Sequence, residues 1–192
     1  MNRYHTLGNR IAAYFIDAIV FSPLVIFYFL IDGIELPTWG YYFLLASAPV
    51  LGIGYNVLFH WKFGQTIGKM VAKVKVLSLA EEPITFKQAF LRDIGYVVTE
   101  SIEFAILAYL LAVGIGWNSE QFGSTAAFAG LPSLGWLILD ALVLIKSKKN
   151  RALHDFIANT VVIRLNMQPD GSPKNPEPPA PETYDSLRTN TD

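Results

Sequence analysis

The chain of 192 residues contains no cysteine and only three histidines. The missing thiols exclude disulfides, thiolate nucleophiles and cysteine-ligated metals. Charge is also scarce: Asp, Glu, Lys and Arg make up 16% of the chain, against about a quarter in an ordinary soluble domain. The net charge of −1 offers no electrostatic footprint for nucleic acid. His5, His60 and His154 lie far apart, without metal-ligand spacing, so no metal is expected. No Ser or Thr has a base beside it in a defined role, so neither an enzyme nor a cofactor is expected. What the chain has in excess is apolar sequence, at 52% of residues with a mean hydropathy of +0.35.

The apolar residues fall into four blocks: Ile11–Ile31, Tyr41–Trp61, about Ile94–Trp117, and Ala126–Ile145. Each is long enough to cross a hydrocarbon core of about 30 Å as a helix. Helices are the expected form, because backbone groups inside lipid must find partners within their own segment. Pro23, Pro49 and Pro132 lie inside these blocks and predict local kinks. Arg3 and Arg10 precede the first block, whose apolar run is too long for a signal peptide and reads as an uncleaved span. The fold class expected is an all-α membrane protein, a bundle of four transmembrane helices.

Basic residues set the orientation. The N-terminal segment has two Lys or Arg, the 62–93 connection six, and the segment after the fourth block seven. The connections 32–40 and 118–125 have none. The positive-inside rule then places both termini and the central connection in the cytoplasm of an inner-membrane, multi-pass protein. Trp39, Tyr41, Tyr42, Trp61 and Trp117 sit near block ends, where amphipathic rings favour the headgroup layer.

Within the central connection, Gln65–Ala72 has Ile67, Met70 and Val71 with Lys69 and Lys73, the pattern of a short amphipathic helix on the inner leaflet. Thr66 is its natural N-cap. Val74–Leu79, a Glu81-Glu82-Pro83 turn and Ile84–Phe86 read as a small β-hairpin. Gly64–Lys69 superficially resembles a phosphate loop. Its glycines have three residues between them rather than four, and Met70 stands where a Walker motif has Ser or Thr, so nucleotide binding is rejected. Gly64 and Gly68 instead suit close approach of a surface helix to the span ends. From residue 166 the chain is a Pro-rich tail with little to bury, expected to be disordered, so the folded domain is placed at 1–165.

Gln65–Leu77 aligns without gaps on Arg151–Ile163, and Arg10 and Tyr14 match Arg92 and Tyr96 at a similar offset. The chain then reads as two units, each of two spans, an amphipathic helix and a strand. The alignment sets Lys69 against Asp155 and predicts an ion pair between them or, for Asp155, with Arg92.

Four residues carry polar groups at one depth. Asp17, Asn56, Glu100 and Asp140 each lie five or six residues from the basic end of their span, roughly 7–9 Å below the inner edge. Glu103 shares a helix face with Glu100, one turn deeper. Acids crowded in low dielectric must hold protons or be balanced by a cation, which is the chemistry of a proton- or sodium-coupled site. The other reading is polar glue between helices, with each acid facing its own way. Helix rotation decides between them, and the sequence does not give it. Arg10 and Asp17 are two turns apart, about 10 Å, so each needs another partner.

Asn9-Arg10-Ile11-Ala12-Ala13 with Asp17, then Gly64-Gln65-Thr66-Ile67-Gly68-Lys69, then Leu153-His154-Asp155 with Thr160-Val161-Val162, resembles the RDD family of membrane proteins over about 9–164. Arg10, Asp17 and Asp155 occupy the positions of the arginine and two aspartates that name it. Glu100, Glu103, Asp140 and the Pro-rich tail lie outside that signature. The resemblance implies a membrane fold, and a transport role including sodium–proton exchange has been suggested for the family. Two functions follow as expectations. One is a small transporter of Na+ or H+ using Asp17, Glu100, Glu103, Asp140 and Asn56, working as a homo-oligomer because four helices make a thin pore. The alternative is a membrane scaffold or accessory subunit whose basic face binds a partner or anionic lipid.

Overall fold

The computed structural model describes residues 3–31, 34–116, 119–167 and 172. The expected tail thus lies almost wholly outside the described residues. Helices α1 (Leu7–Ile31), α2 (Thr38–Phe63) and α4 (Phe86–Ala112) are continuous. The fourth apolar stretch is two helices, α5 (Glu120–Ala129) and α6 (Leu131–Lys146). All four stretches are long and apolar enough to cross a membrane. Two short helices, α3 (Ile67–Val71) and α7 (Leu153–Ile157), and two strands, β1 (Val74–Ser78) and β2 (Thr160–Arg164), gather at one end. This end carries the basic connections.

Local chemistry explains where these elements stop, and why two boundaries differ from the apolar blocks. The third span starts at Phe86 rather than Ile94, because Thr85 and Gln88 form a reciprocal capping box ahead of a polar first turn. It ends at Ala112, short of Trp117. The fourth begins at Glu120 rather than Ala126, where the Ser119 hydroxyl accepts from Phe122 N at 3.1 Å. It breaks at Gly130, just before Pro132, which has no N–H to continue the ladder. Pro23 and Pro49 sit inside unbroken helices. Gly64 ends α2 at φ +70°, its N–H donating to His60 O at 2.9 Å, and a Cβ there would lie 2.9 Å from Val76 O. Thr66 caps α3 as its sequence suggests.

The small antiparallel sheet is present, but its pairing is long-range. β1 pairs with β2, not with Ile84–Phe86, because Thr85 is already committed to the start of α4. The register sets Val76 opposite Val162. These residues are also partners in the 65/151 alignment, so the strand pair is centred on its own repeat equivalents. The rest of the repeat follows the same offset. Thr66 and Ala152 are N-caps, α3 and α7 span equivalent residues, and the left-handed positions Gly64 and Lys73 match Asn150 and Asn159. The helix–strand segments of the two units therefore share one backbone pattern.

Two apolar cores result. At the basic end Val74, Val76 and Val162 pack with Val57, Ile84 and Ala89, so the sheet is clamped against α2 and α4. At the other end Leu107, Leu110, Phe122 and Ala129 join α4 to α5, with Leu45 of α2 packed against them. Elsewhere large apolar side chains point outward, as at Phe15, Ile19, Phe29, Leu30 and Phe43. In water such a surface would drive aggregation; around a membrane bundle it is the lipid-facing face.

Candidate functional site

Most buried ionisable side chains collect where α3, α7 and the sheet meet the span ends. Asp17 on α1 reaches across to α3. Its Oδ1 accepts from Gly68 N at 2.7 Å and from the Tyr55 hydroxyl at 2.8 Å, and Oδ2 accepts from Thr66 Oγ1 at 2.6 Å. Tyr55 OH in turn accepts from Ile67 N at 2.8 Å. The short helix is thus held by its N-terminal donors, where a carboxylate is favoured. Gly68 makes this possible: a Cβ there would overlap the Ala13 carbonyl oxygen and lie 2.7 Å from Asp17 Cγ.

Asp155 on α7 is fully buried. It pairs with Arg10 of α1 at 2.7 Å and with Arg92 of α4, and accepts from Ala152 N at 2.9 Å. Burial alone would raise its pKa, but Arg10, Arg92 and the Ala152 N–H outweigh that and hold it well below the usual carboxylate range. Arg10 further donates to Asn150 O at 2.9 Å, and Arg92 to Thr160 Oγ1. The first and third spans are thereby tied to one carboxylate.

His154 joins the fourth span to the same group. Its backbone N–H donates to Asp140 Oδ1 at 3.0 Å, and its Nδ1 lies 2.9 Å from both Asp140 oxygens. Its Nε2 lies 3.0 Å from Arg92 Nη2. Since Arg92 can only donate, Nε2 accepts, which assigns the Nδ1–H tautomer. Burial first, then the nearby Arg92 cation, depress the imidazole pKa against the pull of Asp155 and Asp140. On the second span, His60 Nε2 accepts from Lys69 Nζ at 2.8 Å. Burial, aided by Arg92, brings the Lys69 pKa down to about 8. Asp93 is buried beside this cluster, and its Oδ2 has no hydrogen-bond partner among the described residues.

The expected Lys69–Asp155 pair is not formed, because two arginines from the spans reach Asp155 while Lys69 turns to His60. Asp17 and Asp140 bind different short helices, α3 and α7. Glu100, Glu103 and Asn56 are partly buried, and no hydrogen bond joins these three side chains to Asp17 or Asp140 among the described residues. Glu103 instead approaches the α5–α6 break, its Oε2 3.9 Å from where a Gly130 Cβ would sit. The alternative expected for Asp155, an ion pair with Arg92, is formed. His60, His154 and Tyr55 are not among the sequence-predicted site residues. His154 lacks metal spacing, but its equivalent in the first unit is Gly68, the amide held by Asp17.

The model of the RDD family matches residues 4–159, which covers Arg10, Asp17 and Asp155 together with His60, Lys69, Arg92, Asp93, Asp140 and His154. No curated protein and no solved structure gives a match.

Proposed function

The chain belongs to the RDD family, and from that premise we propose that this integral membrane protein is a proton-coupled cation transporter, set in the inner membrane with its basic end and both termini in the cytoplasm. One observation carries the reading: all four spans deliver buried or half-buried ionisable groups to one end. They are Arg10 and Asp17, His60, Arg92 and Asp93, and Asp140, linked through Lys69, His154 and Asp155. Ionisable groups in membrane spans are expensive and characteristically mark ion or proton paths. Within the third span no ion pair occupies Asp93, Glu100 or Glu103 among the described residues; Glu100 and Glu103, the pair one turn apart and further along the span, are assigned the exchange of Na+ or H+. Asp17 and Asp140, tied to backbone N–H groups, are assigned to holding the inner face. A homo-oligomer supplies the width that four helices lack. No catalytic step is assigned.

A second reading rests on those same two aspartates. Both do the work of polar glue, which a scaffold or accessory subunit binding a partner or anionic lipid would also need. Flux separates the two. Proteoliposomes containing the purified chain should take up Na+ in exchange for H+ leaving down an imposed acid-inside pH gradient, and Glu100→Gln with Glu103→Gln should remove the uptake while the protein stays folded. Absence of flux in the wild type, or full flux in the double variant, would overturn transport and leave the scaffold.

A further inference from the structure

We propose that His154 is a proton-binding latch: a proton added to its Nε2 exchanges the bond from Arg92 for an ion pair with Asp155, and so loosens the third span from α7. The inference deepens the transport reading, on which it rests for its purpose, by naming the proton-binding side chain of that network.

The argument is one of donors and acceptors. In the structure Nε2 has a lone pair aimed at Arg92 Nη2, 3.0 Å away, while Nδ1–H is held by Asp140. Protonation at Nε2 turns an acceptor into a donor facing a guanidinium that has no acceptor to offer. That hydrogen bond must break. Asp155 Oδ1 is the nearest carboxylate to the new N–H, at 3.6 Å. Asp140 stays bound, now facing an imidazolium, so α7 keeps α6 and loses one of its ties to α4.

The charged surroundings bear on the direction. Around His154 lie Arg10 of α1, His60 of α2, Lys69 of α3, Arg92, Asp93 and Tyr96 of α4, Asp140 of α6, and Asp155 and Arg151 at α7. With neutral His154, the cations Arg10, Lys69, Arg92 and Arg151 already outnumber the acids Asp93, Asp140 and Asp155 by one. One added proton raises that excess, and it falls between Arg92 and Asp155. Burial and Arg92 resist it, so the latch changes state on the acid side of neutrality.

The internal repeat supplies a built-in comparison. Gly68 and His154 are equivalent, and each gives its backbone N–H to an aspartate of a span, Asp17 or Asp140. Only the second unit adds a titratable ring at that position. Docking of a short helix therefore requires no histidine, and the imidazole adds a proton response to a joint that the first unit makes without one.

The test uses the full chain in nanodiscs with 15N-labelled histidine, the three rings assigned by His5→Gln, His60→Gln and His154→Asn. At pH 8, His154 should show a protonated Nδ1 and a bare Nε2. Lowering the pH should convert it to imidazolium with a midpoint below 6.5, the ordinary histidine value. Spin labels on the third span and α7 should report a distance change with the same midpoint, and His154→Asn should abolish that change. A protonated Nε2 at pH 8, or no titration before unfolding, or a distance change that persists in His154→Asn, would overturn the latch. If His154→Asn does not fold, the ring spectra of the wild type still decide. None of these readouts involves flux, so a titrating His154 in a protein that moves no cation refutes transport alone.

Discussion

Replacing Asp155 by Asn removes one negative charge from between two arginines and leaves everything else nearly isosteric. The Asp155 side chain has 0% exposure, Arg92 3% and Arg10 10%, so neither guanidinium can turn to water without moving its helix. Breaking a buried pair from one side costs about 3–5 kcal/mol, because the surviving charge stays desolvated. Here two charges survive. Arg10 keeps bonds to Thr6 and Asn150, and Arg92 keeps Thr160 and His154, which offsets part of the loss. We expect a destabilisation of about 4 kcal/mol, roughly a thousandfold in the unfolding equilibrium. Reversible unfolding in mixed micelles, followed by tryptophan fluorescence and by steric trapping, measures it. Asp155 also has a depressed pKa in the fold. Its contribution is therefore complete above about pH 4 and is withdrawn as pH falls through the folded value, and the Asn variant should lack that acid limb. A loss below about 1 kcal/mol would refute the claim that Arg10 and Arg92 depend on this carboxylate. So would an unchanged acid limb.

Two further outcomes follow from the same end of the molecule. Gly68→Ala places a methyl against the Ala13 carbonyl and the Asp17 carboxylate; the expected cost is about 3 kcal/mol, from overpacking and a weakened charge-assisted bond, with α3 becoming open to proteolysis, and undiminished protection would contradict it. Lys69 has a folded pKa of about 8 against 10.5 unfolded, so the unfolded chain binds more protons between those values and stability should rise with pH across that window. Lys69→Met should abolish the rise, as read by thermal unfolding at pH 7.5 and 9.5.

Much of the bundle is legible in the sequence because lipid imposes one rule on every residue of a span. Four apolar blocks of sufficient length can only be four helices. Their ends were less legible, since polar first turns such as that of Phe86–Arg92 carry helix signals in caps rather than in hydropathy. The strand partner of Val74–Ser78 was hidden for a different reason. A turn at Glu81–Pro83 favours a local hairpin, whereas the true partner lies 86 positions on and is specified by the repeat. Counting residues from the span ends supplies an expected depth for Asp17, Glu100 and Asp140. It supplies no direction, because rotation about a helix axis depends on packing. That is why Asp17 is found on α3, Asp140 on His154, and Glu103 near Gly130.

The antiparallel pairing of β1 with β2 has a consequence for biogenesis. Translation runs from the N-terminal side, so Arg10 and Arg92 emerge long before the carboxylate that neutralises both, and β1 waits unpaired through synthesis of two further spans. Membrane insertion can finish while the inner face is still open. Closure belongs to the last dozen residues of the domain, and a nascent chain halted before Leu153 would be inserted yet incomplete, with two cations and a bare strand edge exposed to whatever quality-control machinery surveys that side.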